Sequence, residues 1–419
     1  MPDPTTRPTL RPLHTQTATV DHQQGYVLTD PLGVAEPAFV PMELAPLLSR
    51  FDGSATAADI AAALSTELGQ NVPARLVDQL AADLDARHML QSPRYLKARD
   101  AAVEQFLTGG TRPCRHAGSA GYPEDADQLD QALRAMVPDP QAPAPGLSGL
   151  VAPHIDLARG HGGYAAAYGR LLAAEPAELY VLFGTGHQGP SAPVTGLPLD
   201  WQTPLGTATT DRAFVAAVHE SLGQPTPEDL LLHRDEHSLE FQVLMLQHLS
   251  IRRGSPPPRV ACFLCGALPS ADGDPTAEPY LRKITTALRA AAAASGQRIC
   301  YVAGADLAHL GPLFGDSDPI DQALQERLES DERVRLAHLL RGQPGAFHRA
   351  IEGHGNPDRI CSAPAITLTA LLARGAGQLL HYEQATAADR SQLVSFCAMA
   401  FGGPAAESDA ASATQPDRT

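Results

Sequence analysis

From residue 147 to residue 401 the chain alternates short apolar runs with stretches of helical period, and that alternation restricts it to α/β architectures. The apolar runs 147–153, 179–184, 260–264, 299–304, 379–383 and 394–401 read as strands. Between and after them, 163–173, 211–221, 238–249, 280–294, 320–340 and 365–374 read as helices. The expected fold is an α/β sandwich with a mixed or mostly parallel central sheet flanked by helices. An apolar share of 43% in 419 residues is ample for its core.

A smaller unit is expected ahead of this domain. Residues 1–24 are polar and proline-bearing and read as a disordered start. Residues 25–91 read as a compact module with a short strand at Gly25-Tyr26-Val27-Leu28 and a turn at Asp30-Pro31-Leu32-Gly33. Three helical stripes follow: Leu44, Leu47, Leu48 and Phe51; Ile60, Leu64 and Leu68; Leu76, Val77, Leu80 and Leu84. The second begins at a capping-box phrase, Thr56 to Asp59. One strand, three short helices and room for a wing suggest a winged-helix-like module. Residues 92–111 read as a linker with helix around 101–107, residues 112–402 as the main domain, and residues 403–419 as a disordered tail.

Charge and composition exclude several classes of partner. The formal net charge is −16 and only Lys97 and Lys283 are lysines, so the chain repels phosphate backbones and nucleic acid is not expected. No apolar run reaches the roughly 18 residues of a membrane helix, and the N-terminus lacks a signal-peptide stretch. Six cysteines in a chain of this length make no disulfide framework, which suggests a cytoplasmic, reducing home.

The chemistry gathers where the strands end. Ligand sites of open α/β sheets collect at the carboxyl ends of strands. Three candidate strands here run into histidine or an acid–histidine pair: His154 with Asp156, His187, and Asp306 with His309. His237 and Glu240 open a helix one turn apart. Cys361 directly precedes Ser362 and Pro364, a helix start whose dipole favours thiolate. Singly, each histidine reads as a capping, packing or surface residue; as a set with the cysteine and carboxylates they have the make-up of a transition-metal site. His161, His233, His248, His338, His354 and His381 have no such partners in the sequence and read as structural or exposed. Cys262 and Cys265 have C-x-x-C spacing but lie inside an apolar strand and read as core. Gly184-Thr185-Gly186-His187 lacks the spacing and lysine of a phosphate loop.

These motifs, in this order, resemble the Memo family over residues 112–402: Arg115-His116-Ala117-Gly118-Ser119 with Tyr122-Pro123, Ala152-Pro153-His154, Gly184 to His187, Asp235 to Glu240, Asp306 to His309, and Ile360-Cys361. The resemblance implies a fold like that of class III extradiol dioxygenases. It implies a metal held by His154, His187 and Cys361, with Asp306, His237 and His309 lining the same cleft. Iron(II) is the first expectation, copper or zinc the alternatives. Prokaryotic members form a group named AmmeMemoRadiSam system protein B, which implies radical-SAM and AMMECR-type partner proteins. Two departures stand out: Ala120-Gly121 replace the family's tryptophan, and Ile155-Asp156 follow His154 where the family has Ala-Gly. Both touch residues linked to phosphopeptide binding in animal members, so that role is not expected. Residues 25–90, through Phe51-Asp52-Gly53-Ser54, resemble the PqqD-like winged helix, which implies a peptide ligand for the module.

Two imidazoles and one anionic ligand leave coordination positions open for dioxygen and substrate. His309 or His237 is the candidate general base, with Asp306 and Glu240 as the carboxylates that set such a ring. The functional expectation is a metal-dependent redox or oxygen-handling enzyme. The alternatives are a non-catalytic iron- or copper-binding accessory protein and a peptide-binding scaffold.

Overall fold

The computed structural model describes residues 7–118, 121–268, 278–373 and 375–402. The chain divides into two compact units, Met1–Gly109 and Gly110–Thr419.

In the first unit, strands β1 (His14–Val20), β2 (Gln23–Thr29) and β3 (Ala38–Pro41) form an antiparallel meander. Asp21 and His22 both take positive φ, the tight turn that suits a two-residue hairpin. Residues 7–24 therefore do not form the disordered start expected from their polarity. Almost every residue of β1 is exposed, so no apolar alternation announces it; its order comes from the ladder with β2. Arg11 adds a buried ion pair to Asp30 at 2.7 Å. Residues 1–6 and 403–419, both expected to be disordered, lie outside the described residues.

Helices α1 (Ala45–Leu48), α2 (Ala57–Leu68) and α3 (Ala74–Ala86) follow the three stripes. Thr56 and Asp59 close a reciprocal capping box on α2, and left-handed Gly69 ends it. Leu28, Val40, Phe51, Ile60, Leu64, Val77 and Leu84 make the core. The helix expected around 101–107 of the linker is longer: α4 (Pro93–Thr108) fills most of the segment, capped by the Ser92 hydroxyl. Its single fully buried residue, Tyr95, explains why periodicity alone did not show its full length.

The second unit opens with β4 (Thr111–Arg112), α5 (Ala126–Met136), β5 (Gly149–Ala152), α6 (His161–Ala173) and β6 (Leu179–Thr185). A small-strand region follows: β7 (Val194–Gly196), β8 (Asp200–Thr203) and β9 (Gly206–Thr210). Next come α7 (Arg212–Leu222), α8 (Pro227–Leu232), α9 (His237–Arg253), β10 (Arg259–Cys265) and α10 (Pro279–Ser295). The chain closes with β11 (Ile299–Gly304), β12 (Asp306–Leu310), α11 (Gln322–Leu340), α12 (Pro344–Glu352), α13 (Ala363–Leu372), β13 (Gly377–Thr386) and β14 (Leu393–Phe401).

The main path of the sheet runs β12-β14-β5-β11-β6-β10-β9-β8-β4, with β13 on β14 and β7 on β10. Its centre, β5-β11-β6-β10-β9, is parallel, and β14 joins β5 antiparallel. All six expected strands are present; β4, β7, β8, β9 and β12 are additions too short or too close to turns to stand out. Helices α6 and α9 pack on the sheet with α5 against both of them, while α7, α10, α12 and α13 form a separate layer. β5 and β6 are buried at every position, as a parallel sheet covered on both faces requires.

Two glycines let α9 settle onto the sheet. A Cβ on Gly304 would run into the Ser238 carbonyl oxygen, and one on Gly184 would meet the Ser238 hydroxyl and Leu239. The absence of side chains at these strand ends brings the first turn of α9 down against them. That contact positions His237.

Candidate metal centre

His154 follows β5, His187 follows β6, and His237 is the first residue of α9. One ring nitrogen from each lies within 4.8 Å of the others. The ring centroids are 5.0 Å apart for His154–His187, 5.2 Å for His154–His237 and 4.8 Å for His187–His237. His154 is buried, whereas the His187 and His237 side chains keep 30% and 33% of their surface open. The pocket therefore has a closed floor and an accessible mouth.

Two of the rings are set by a hydrogen bond at Nδ1, and the third has a carboxylate beside its Nδ1. His154 Nδ1 donates to the Gly304 carbonyl at 2.9 Å, which turns Nε2 toward Cys361. His187 Nδ1 lies 3.0 Å from both oxygens of Glu236, and His237 Nδ1 lies 3.3 Å from one of them. A carboxylate behind a ligand histidine fixes its tautomer and raises its basicity. Glu236 is also the N-cap of α9, accepting from the Ser238 amide, so capping and orientation share one side chain. Glu236 has no role assigned by the 235–240 motif alone; its N-cap position beside a histidine is the sequence signal for one.

Cys361 reaches the same place from the start of α13. Its Sγ lies 3.7 Å from His154 Nε2 and 3.2 Å from the Ser362 hydroxyl. Burial opposes thiolate here, but the His154 and His187 rings outweigh it and pull Cys361 down to about 6. Burial likewise opposes charge on His187, yet the Cys361 sulfur and Glu236 push it up to about 10. Burial and the neighbouring His154 bring His237 down to about 3, so that ring is neutral. Glu236 stays well below the usual carboxylate range: burial works against ionisation, and the bond and charge of His187 overcome it.

The remaining expected site residues fall into two groups. Asp306 belongs to the pocket floor: it accepts from the His154 amide at 2.9 Å and stands 3.6 Å from His154 Nε2. Burial pushes it up to about 6. It does not hydrogen-bond the His309 ring; His309 Nδ1 instead faces the Leu307 carbonyl at 3.1 Å. Burial lowers His309 against the attraction of Asp306, leaving a neutral ring. Glu240 is fully buried and points its carboxylate away from any role as a base. Its oxygens take the Arg112 guanidinium, the Tyr122 hydroxyl and the amides of Arg115 and His116. Glu240 thus anchors the 112–122 segment, and the catalytic role expected for it from helical spacing is not supported by its contacts.

Arg112 was not singled out in the sequence. It is fully buried, and besides Glu240 it donates to the His233 carbonyl at 3.2 Å and the Glu236 carbonyl at 2.8 Å. It therefore ties both ends of the turn that carries Glu236 and His237. His248 and His381, expected without partners, pair with Asp130 at 3.0 Å and Glu383 at 2.8 Å. Ser119 and Ala120, within the opening motif, lie outside the described residues.

A parallel α/β sheet with histidines at its carboxyl edge and two helix starts closing over them defines the class: an α/β protein whose pocket is able to hold one metal ion. The Memo-like protein family model matches residues 112–400, and the chain belongs to that family. Among relatives, it is 27% identical over 380 residues to a MEMO1 family protein of Aquifex aeolicus, covering 90% of this chain and 96% of the relative. That match is longer than the whole second unit. A MEMO1 family protein of Thermus thermophilus is 28% identical over 316 residues, 74% of this chain and 88% of the relative. One of Methanosarcina barkeri is 26% identical over 285 residues, 66% of this chain and 95% of the relative. Among the described residues, no helix is long and apolar enough to cross a membrane.

Proposed function

We propose that this protein is a metal-dependent redox enzyme that handles oxygen, with iron(II) as its ion and copper or zinc as the other ions the donors suit. The observation that carries the reading is the convergence of three imidazole rings beside a thiol drawn toward thiolate. His154 and His187 would hold the ion with Cys361, and His237 stands close enough to be a further ligand. Imidazole and thiolate donors suit iron, copper and zinc, and fewer than six ligands leave positions for substrate. When bound, the ion supplies one-electron chemistry and a place for oxygen to bind.

The side chains around it divide the remaining tasks. Glu236 holds the His187 and His237 rings in register, and the Gly304 carbonyl does the same for His154. His309, neutral and with Nδ1 engaged by Leu307, offers Nε2 as a proton acceptor. The half-open His187 and His237 side chains also favour a second reading, an accessory protein that passes iron or copper to a partner.

Radical-SAM and AMMECR-type proteins are the partners we propose, in a cytoplasm that suits six free cysteines. We take the first unit to be a winged-helix-like module with a peptide ligand. The groove between β3 and α3, walled by Val40, Leu80 and Leu84 with Asp83 and Arg87 at its side, is the place such a peptide would lie. Metal analysis of protein purified without oxygen, paired with oxygen-uptake assays, tests the main reading. One iron per chain with oxygen uptake is expected. Iron that stays bound without uptake but moves to a chelator would replace that reading with the accessory one. Equal iron content in wild type and His154→Ala would overturn both.

A further inference from the structure

Glu332 is a buried carboxylate that makes no contact with the three histidines of the pocket in any hydrogen bond or ion pair described. It lies on α11 between Leu328 and Leu336 and is 1% exposed. A carboxylate in such a place is costly unless hydrogen bonds replace its water. Here they do: Oε1 accepts from the Ser395 hydroxyl at 2.7 Å and the Ala308 amide at 3.3 Å, and Oε2 accepts from the Tyr382 hydroxyl at 2.7 Å. The Ala308 amide also donates to the Ser395 hydroxyl at 2.9 Å.

Ala308 sits in a β-bulge. β12 sets Asp306 opposite Phe396 and His309 opposite Val394, so three steps along β12 match two along β14. In a regular strand, residues three apart face opposite sides of the sheet. Across this bulge, Asp306 and His309 both oppose residues of the same β14 face. The Ala308 amide points at the serine and glutamate side chains, and the carboxylate from α11 completes that arrangement.

We propose that Glu332 is a positioning residue: together with Ser395 it fixes the β12 bulge, and the bulge turns His309 to the face it shares with Asp306. The proposal rests on the reading of His309 as the proton acceptor of the pocket, but it is a statement about geometry and is tested without turnover or metal. The full chain, labelled with ¹⁵N in its histidines, gives long-range proton–nitrogen spectra that report the tautomer of each ring. Loss of one signal in His309→Gln assigns His309. In the wild type His309 should be the Nδ1–H form, held by the Leu307 carbonyl. Glu332→Leu should move it to the free-imidazole mixture, in which Nε2–H predominates, while His154 stays Nδ1–H on the Gly304 carbonyl. Glu332→Gln keeps a carbonyl acceptor and should restore the wild-type pattern, which a merely volume-filling role would not predict. If Glu332→Leu does not fold, Ser395→Ala removes the other acceptor of the Ala308 amide and should shift His309 in the same way. An unchanged His309 tautomer in whichever of these two variants folds overturns the proposal. Failure of the redox reading would show instead as absent oxygen uptake, with the tautomer result untouched.

Discussion

Metal binding to this pocket should release a proton, and the number released should depend on pH in a way the side chains set. Without metal, His187 is held up to about 10 by Cys361 and Glu236 against burial, and Cys361 is drawn down to about 6 by the histidines, again against burial. Between those values the pocket holds a thiolate beside an imidazolium. His237, down to about 3, carries no proton to lose. An ion needs the bare His187 nitrogen, so one proton must leave for each ion bound. Affinity for zinc should therefore rise ~10-fold per pH unit, about 100-fold between pH 7 and pH 9. Below the Cys361 value the thiol must also ionise and the slope steepens toward two protons. Above the His187 value it levels off. Calorimetric titration with zinc in buffers of different ionisation enthalpy counts the protons directly. Cys361→Ser removes the foremost group that raises His187, so its proton count over the same window should fall toward zero. Zinc binding that releases no proton between pH 7 and pH 9 in the wild type would refute the ion-pair account.

Three further outcomes follow from the contacts. Glu236→Gln removes the charge behind His187 and His237 and should weaken zinc binding about 10–100-fold with the fold intact, measured by competition with a chelator. Gly304→Ala places a methyl against the Ser238 carbonyl and should cost ~1–3 kcal/mol in urea unfolding, with metal affinity falling as the start of α9 shifts; an unchanged midpoint would deny the close approach. Arg112→Met leaves Glu240 buried without its cation and should cost about 3–5 kcal/mol, part of which Glu240→Gln in the same chain should recover; additive losses in the double variant would mean that the two residues act separately.

The strand–helix alternation of the second unit is legible in the sequence, because buried parallel strands are apolar throughout and leave an unbroken mark at positions such as 179–184. The positions of His154 and His187 after strands and of Cys361 before a helix are legible in the same way, since they are local consequences of the pattern. What it could not determine were contacts made across the sheet. The approach of His237 to His154 and His187 depends on two glycines admitting α9, a packing fact with no local signature. Helical spacing linked Glu240 to His237, but the partner that claims Glu240 is Arg112, 128 positions away. Period-two reasoning would also set Asp306 and His309 on opposite faces, and only the bulge in β12 brings them to one. Strand β1 shows the same division from the other side: its exposed, polar sequence promised nothing, and the ladder with β2 alone gives it a shape. Local periodicity records which face of an element is buried; which side chains meet is decided by how closely the elements pack, and that appears only once the chain has folded.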